Sequence, residues 1–356
     1  MIIDYVQGGL TLQDAGRVGA QQEGFTEGGA LDGFAYRLGQ VLVGNTQLTP
    51  ALELFVGRLG LHITSAVVLA ITGAPRQITL NKTHTLNMNT PYDCRSGDYL
   101  EVLPCTAGNI SYVGVRGGID APRWRGSCSE VAREGVGGLA TGPLMVGTQI
   151  PLSFFEPAEE QPLALYPLPA RHSHISPSHI SPSHIGLSPH VPSPMHGGRY
   201  RFTRTTKPLV LRFIPGLHNG VDGDDLVPAL EAGMFTVSSR SNRVAFSLEG
   251  TTLAIPQGPV LSEGNCRGAI QIPPDGRPYV LLNDRPTVGG YRKYGAVIAP
   301  DCARLAQCPP GKKIILQAIE PSTAKHILWH HQHYEDTLFR ALAPRNKTCQ
   351  TNASRP

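Results

Sequence analysis

Residues 262–295 read SEGNCRGAIQIPPDGRPYVLLNDRPTVGGYRKYG. Within them residues 268–276 form a short apolar strand and turn, residues 279–282 an apolar run, and residues 283–293 a polar loop. The run is brief, rich in Val and Leu, and bounded by Pro, Asp and Gly, the pattern of one buried strand between two sharp turns. The loop behind it gathers Asp284, Arg285, Thr287, Gly289, Gly290, Tyr291 and Lys293. Polar groups collected where a buried strand ends suit a ligand site on a rigid scaffold. They also suit a solvated hairpin, because turns favour Gly, Asp and Pro.

Working outward, composition sets the class. A chain of 356 residues can bury one large or two ordinary cores. With 40 Gly, 31 Pro, 16% charged and only 6% aromatic residues, a turn-rich, mainly β protein is expected rather than a helical one. The net charge of +4 is spread along the chain, so no nucleic-acid partner is expected. Seven Cys, an odd number without a C-x-x-C pair, argue against a disulfide framework or a zinc ribbon, and no residue set is read as a metal site. Cys302 and Cys308 are read as small apolar residues. The first ten residues hold no basic-then-apolar leader, and no apolar run approaches a membrane span. No membrane association is therefore expected, and the expected location is cytoplasmic.

Residues 1–10 read as a strand and residues 11–30 as a Gly-rich loop, in which Asp14 and Arg17 are spaced for a local salt bridge or a structural turn. Residues 30–43 are the best helix of the first half. Asp32 is read as its N-cap rather than a catalytic acid, Phe34, Leu38, Val41 and Leu42 share one face, and Gly44 and Asn45 end it. Strands follow at 52–56, 59–63, 66–71, 99–103 and 109–115. Glu53 is read as facing outward from an alternating strand, the other option being burial with a partner.

Residues 157–199 differ in kind. They repeat a Ser-His-Ile-Ser-Pro unit and carry six His between His172 and His196. Pro at that density prevents helix and interrupts a sheet ladder, and too few apolar residues remain to offset ordering entropy. The segment is read as a linker, ahead of weak metal binding, between an N-terminal domain (1–156) and a C-terminal domain (200–320). Beyond it, strands are expected at 209–215 and 313–319, and short helices at 222–232 and 301–307. A tail (321–356) is expected to be helical over 321–343, with Ile327, Leu328, Leu338 and Leu342, and frayed from Pro344. Arg240 and Arg243, three apart among Ser and Asn, can bracket a carboxylate or phosphate, or can be solvated surface groups.

The run D-R-x-T-x-G-G-Y at 284–291, preceded by G-A-I-Q-x-P-P-D-G at 268–276, resembles the allophanate hydrolase subunit 2 family. That family spans the C-subunit of 5-oxoprolinase, Kip-inhibitor antagonists and the matching half of the urea carboxylase carboxyltransferase domain. The resemblance starts at QDAGR (13–17) and continues through GALD (29–32), LVGN (42–45) and ALE (51–53). It resumes at GVRGGID (114–120), IPG (214–216) and SSRSNR (238–243), and ends near Glu320. It departs at Cys128, where relatives usually carry Arg, at Pro286, often Gln, and at Arg292, usually Pro.

This resemblance implies two cyclophilin-like β-barrel domains with a few short helices. It also implies a subunit of an ATP-dependent 5-oxoprolinase, using ATP with Mg, that works with an allophanate hydrolase subunit 1 homologue and a lactam-hydrolysing third subunit on a small-molecule substrate. Asp284, Arg285 and Lys293 are the catalytic candidates. Arg17, Arg240, Arg243, Gln271, Thr287, Gly289, Gly290 and Tyr291 are the substrate-binding candidates. A substrate carboxylate needs a fixed cation, and a transferring phosphoryl or carboxyl group needs positive charge with backbone N–H donors. The alternatives are a carboxyltransferase subunit of a biotin-dependent urea or amide carboxylase and a non-catalytic antagonist of a kinase inhibitor. The chain has no Walker A loop, G-x-S-x-G elbow, H-E-x-x-H, dinucleotide fingerprint or Met-Lys-Met biotin site, which suits a subunit that contributes part of a site.

Overall fold

Strand β1 (Ile2–Gln13) runs antiparallel to β2 (Ala51–His62) along almost its whole length. The sequence suggests two strands at 52–56 and 59–63, but the chain makes one. Val56 and Gly57 both take positive φ there, and the ladder shifts register instead of breaking. A Cβ on Gly57 would collide with the Gln7 carbonyl, so only glycine fits the kink. The computed structural model describes residues 1–140, 142–153, 207–216, 225–256 and 260–343. The expected linker at 157–199, the first residues of the expected helix at 222–232 and the expected frayed end lie outside the described residues.

The first sheet continues with β3 (Val67–Gly73), β4 (Arg76–Leu80), β5 (His84–Leu86), β6 (Pro91–Cys94), β7 (Tyr99–Cys105) and β8 (Ile110–Val115). Its order is β5-β4-β7-β2-β8-β3-β6, with β1 added on β2, and it curls without closing. Helix α1 (Gly33–Leu42) packs on β3 and β8, and Gly39 and Gly114 approach so closely that a Cβ on Gly114 would lie 3.2 Å from the Gly39 backbone. Asp32 caps this helix as expected, accepting from the Ala35 N–H at 3.1 Å.

The second sheet is built from β9 (Leu209–Pro215), β10 (Phe235–Val237), β11 (Ala245–Gly250), β13 (Ala269–Ile272), β14 (Tyr279–Leu281), β16 (Arg292–Val297) and β17 (Lys313–Ala318). It closes as a barrel in the order β10-β11-β14-β13-β16-β9-β17. Only the β17–β9 pair is parallel. A small ribbon, β12 (Glu263–Gly264) with β15 (Val288–Gly289), stands beside it. The mainly β, two-barrel expectation is met by one closed barrel and one curled half-barrel. Ile270, Val280 and Leu282 are buried in the barrel core, as the opening stretch predicts.

Helices α2 (Val227–Ala232), α3 (Ala299–Ala306) and α4 (Pro321–Leu342) complete the described chain. Cys302 and Cys308 are buried among apolar side chains, as expected. α4 presents Phe339 to Phe34 of α1 in a stacked pair 5.6 Å apart, with Leu38 and Val41 beside them. The expected helix forms, with Leu328 and Leu342 exposed and Ala324, Glu335 and Phe339 buried, Glu335 pairing with Arg37 of α1. The barrel core runs on into the first half through Leu31, Ala35, Tyr36, Ile110 and Tyr112, so the two sheets share apolar packing. No helix among the described residues is long and apolar enough to cross a membrane.

Candidate functional site

The polar loop predicted at 283–293 faces the first half of the chain, and the contact between them is a seam of buried charge. Arg243 lies at its centre. Its Nε and Nη2 donate to both oxygens of Asp284 at 2.8 and 2.9 Å, its Nη1 donates to Glu53, and Nη2 also reaches the Gly29 carbonyl at 2.8 Å. Burial opposes the charge on Arg243, but Glu53 and Asp284 outweigh it and hold its pKa above the ordinary arginine value.

Glu53 is 1% exposed, which corrects the outward reading. Its Oε2 accepts from the Tyr112 hydroxyl at 2.7 Å and from the Leu31 N–H at 3.1 Å. Burial, with the nearby Glu53 and Asp32 carboxylates, pushes the Tyr112 phenol well above its ordinary pKa. The partners that make burial tolerable lie far along the chain, so the alternating pattern around Glu53 could not reveal them.

Next to Asp284, Arg285 is 3% exposed and makes three kinds of contact. Its Nη2 pairs with Glu27 at 2.9 Å, its Nε donates to the Asn265 carbonyl at 3.1 Å, and its Nη1 donates to the Leu282 carbonyl at 3.3 Å. Asn283 spans the seam as well, with Nδ2 donating to the carbonyls of Gly28, Gly29 and Ala30 at 3.1–3.2 Å. Arg267 donates from Nη2 to the next carbonyl, Leu31, at 3.0 Å. Four consecutive carbonyls of the N-terminal loop are thus held by two side chains of the barrel.

Of the local salt bridge and the structural turn open to Asp14 and Arg17, the salt bridge does not form, and the Gly16 N–H donates to Asp14 Oδ1 at 2.8 Å within the turn. Asp14 accepts from Ser127 and Ser129 hydroxyls, each at 2.6 Å, and from the Cys128 N–H at 2.7 Å. Arg17, 1% exposed, donates from Nη2 to the Ser129 carbonyl at 2.5 Å and lies 5.5 Å from the Trp124 ring centre. Burial lowers its pKa, and Asp14, Glu134 and Asp284 oppose that shift. Its Nε and Nη1 are buried with no acceptor.

Between the loop and the barrel the seam holds a partly open cavity of about 260 Å³, with Asp14, Glu27, Gly28, Arg267, Asn283 and Arg285 among its walls. Of the sequence-predicted residues, Arg17, Arg243, Asp284 and Arg285 gather around this seam. Gln271 joins through Asn265, whose side-chain oxygen accepts from Gln271 Nε2 at 3.0 Å and whose carbonyl meets Arg285. Thr287 reaches the Gly24 carbonyl at 3.4 Å.

The remaining candidates sit elsewhere. Gly289 belongs to the small ribbon, where a Cβ would lie 2.9 Å from Gln271 Nε2, and Gly290 follows it. Tyr291 is 49% exposed, and Lys293 pairs with Glu263 at 2.7 Å. Arg240 lies at 3.6 Å from Glu249, with its side chain 61% exposed, and lines a separate hollow with Ser247 and Tyr279. Arg243 is no partner to it in bracketing an anion, because both its faces are taken by carboxylates. Sequence reasoning missed Glu27, Asn265, Arg267 and Asn283. Three of these lie inside the 262–295 stretch, where Asn283 beside the acid of the loop was the available signal.

The chain belongs to the family described as carboxyltransferase domain, subdomain A and B, whose model matches residues 23–318. It is similar to the C-subunit of 5-oxoprolinase from Escherichia coli, with 30% identity over 85% of this chain and 86% of that protein. It is also similar to the C-subunit of 5-oxoprolinase from Haemophilus influenzae, with 27% identity over 96% of this chain and 98% of that protein. In fold it matches the solved urea carboxylase of Kluyveromyces lactis with a TM-score of 0.75 and 23% identity, covering 96% of this chain but 29% of that longer one.

Proposed function

We propose that the chain is a subunit of an ATP-dependent 5-oxoprolinase, holding 5-oxo-L-proline at the seam while a multi-subunit complex opens it to L-glutamate. The observation that carries this reading is the similarity, over most of both chains, to two proteins named as 5-oxoprolinase subunits. The cavity supports it by size. At about 260 Å³ it lies just below the ~300–1,000 Å³ of pockets that take drug-sized ligands, which is room for a small acid. ATP, with Mg, is bound elsewhere in the complex, and the partners are a subunit 1 homologue and a third, lactam-hydrolysing subunit.

In the reaction so proposed, the lactam oxygen attacks the γ-phosphorus and ADP leaves. Water adds to the activated carbon, the C–N bond breaks as the nitrogen gains a proton, and a second water hydrolyses the acyl phosphate so formed to the carboxylate and inorganic phosphate. This chain's part is to bind and orient the lactam in a water-poor, preorganised setting. Arg285 and Asp284, fixed by Glu27 and Arg243, hold the loop that forms the cavity wall.

The test is ADP release by the chain co-expressed with both partner subunits, with and without 5-oxo-L-proline and with each subunit omitted in turn. The reading requires release that depends on both the lactam and this chain, and Arg285→Ala should lower it at least tenfold. A stable complex without lactam-dependent turnover would sink it. The family description favours a second reading, transfer of a carboxyl group from carboxybiotin to a urea or amide nitrogen. That reading requires a bicarbonate- and biotin-dependent activity in the same assay.

A further inference from the structure

Arg37, Arg267 and Arg285 all line the seam cavity, and they differ in the donors they have left to offer. Arg285 spends Nε, Nη1 and Nη2 on the Asn265 carbonyl, the Leu282 carbonyl and Glu27. Arg267 is tied to the Leu31 carbonyl through Nη2, and its Nε is shut inside the protein. Arg37 uses Nη2 alone, on Glu335 Oε2. Among the described residues its Nε and Nη1 have no acceptor, and neither atom is sealed from solvent. The side chain leans back along α1 toward the helix N-terminus, as helical side chains do. Its Nη1 therefore lies against Gly33, another wall residue, 3.1 Å from where a Cβ would be. Position and open donors together put this guanidinium at the cavity surface.

What holds Arg37 there comes from α4. Glu335 is buried, accepts from Arg37 through one oxygen and has His331 Nε2 at 3.2 Å from the other. Burial opposes its charge, but His331 and Arg37 prevail and keep its pKa below the ordinary carboxylate range, so the pair is ionic. One turn further on, Phe339 stacks on Phe34 and fixes the helix against α1. α4 begins at Pro321, beyond the residues 23–318 that match the family. A guanidinium carries five N–H donors and can serve two carboxylates at once, as Arg243 does with Glu53 and Asp284. Glu335 balances the charge of Arg37 and orients it without using it up. What Arg37 offers a ligand is a directed N–H donor rather than unpaired charge.

We infer that Arg37 binds the carboxylate of a small acid in the cavity and that Glu335 of α4 is its positioning residue, which makes α4 part of the site. The choice of acid, 5-oxo-L-proline, rests on the 5-oxoprolinase reading. The carboxylate is selected because a hydrogen bond to an ionised acceptor is roughly twice as strong as one to a neutral acceptor.

Isothermal titration of the full chain, alone and in the assembled complex, tests this with two probes: 5-oxo-L-proline and its carboxamide, in which a neutral amide replaces the carboxylate. The unaltered protein should bind the acid at least fivefold tighter. Arg37→Met should bring the two probes within about twofold of each other, and Glu335→Ala should reduce the preference at least twofold. Because Glu335 acts through Arg37, Glu335→Ala should change nothing further in the Arg37→Met background, whereas a merely structural role would give additive losses. In lactam-dependent ADP release the single variants should raise KM and leave kcat within about twofold. Since the acid–carboxamide comparison uses the unaltered protein, a poorly folding variant does not compromise it. Equal binding of the two probes, no binding of the acid in either preparation, a preference that survives in a folded Arg37→Met, or additive losses overturns the inference. If that happens while lactam-dependent ADP release persists, the function stands and only the roles of Arg37 and Glu335 are wrong. If the Arg37-dependent preference holds but no lactam-dependent turnover exists, the oxoprolinase reading fails and the carboxylate site remains.

Discussion

The guanidinium of Arg243, carried on the loop before β11, closes on the carboxylate of Glu53 in β2, 190 residues away in the chain. Asp284 completes the contact from the other side, so one cation is shared by two acids, one from each half of the molecule. The halves are therefore joined by charge as well as by the apolar packing around Leu31 and Tyr112.

Removing one member of this group should be costly. Glu53→Ala leaves Arg243 buried with Asp284 alone and strips Tyr112 of its acceptor. The expected loss is about 1–3 kcal/mol, since the Tyr112 hydroxyl and the Leu31 N–H are left buried without an acceptor while Arg243 keeps Asp284. Urea unfolding of variant and parent checks it; a difference under about 0.5 kcal/mol, the range of ordinary surface changes, would show that the seam does not depend on Glu53.

Asp301 gives a pH-dependent prediction. Burial disfavours its charge, but hydrogen bonds from Arg212 and the charges of Arg212 and Arg304 prevail, and its pKa lies below the ordinary 3.8. The folded state thus binds the proton less readily than the unfolded chain. The stabilisation is full above pH 3.8 and is lost as pH falls from there through the lower folded-state value. Asp301→Asn should cost about 3 kcal/mol at pH 7, and its gap from the parent should narrow only in that acid window. Thermal unfolding from pH 7 to 3 is the measurement; a gap constant down to pH 3 contradicts the ionic account.

Phe339→Ala should loosen α4. The ring stacks on Phe34 beside Leu38 and Val41, and burying a phenyl is worth roughly 3–5 kcal/mol against alanine. Because this patch is separate from the two main cores, the helix should come away before the sheets unfold. New cleavage within residues 321–342 on limited proteolysis is expected, with barrel melting shifted little. Resistance equal to that of the parent would place the docking energy elsewhere on the helix.

Deleting residues 173–194, which lie outside the described residues, should leave the melting temperature and co-purification with the partner subunits unchanged. The Ser-His-Ile-Ser-Pro repeat has too little apolar surface to contribute to a core. Insolubility or loss of the partner after deletion would assign it a structural task.

Much of the fold was legible because its signals are local. The run at 279–282 between Pro and Asn lies in the barrel core, and Asp32 caps the helix that Phe34, Leu38 and Val41 pattern. Errors arose where a local signal had a distant competitor. Val56 and Gly57 look like a break, but the long ladder with β1 absorbs them as a bulge. The alternation around Glu53 looks like an outward carboxylate, but Arg243 and Tyr112, distant in the chain, hold it inside. At the site, the loop at 283–293 was recognised as polar and special, and Asp284, Arg285 and Arg243 do converge. Asn283 and Arg267 were passed over because nothing in their neighbours shows that residues 28–31 will lie against them.

The amino-acid sequence alone determined the mainly β class, the family and the position of the loop that forms the seam. Those properties are carried by alternation, turn residues and the order of short motifs, all of which are properties of neighbouring residues. Only the tertiary structure decided that one sheet closes and the other does not, that Glu53 turns inward, and that Asn283 and Arg267 hold the carbonyls of residues 28–31. The reason is that a buried polar group is tolerated according to partners up to 298 residues away, and strand register and shared core packing place those partners.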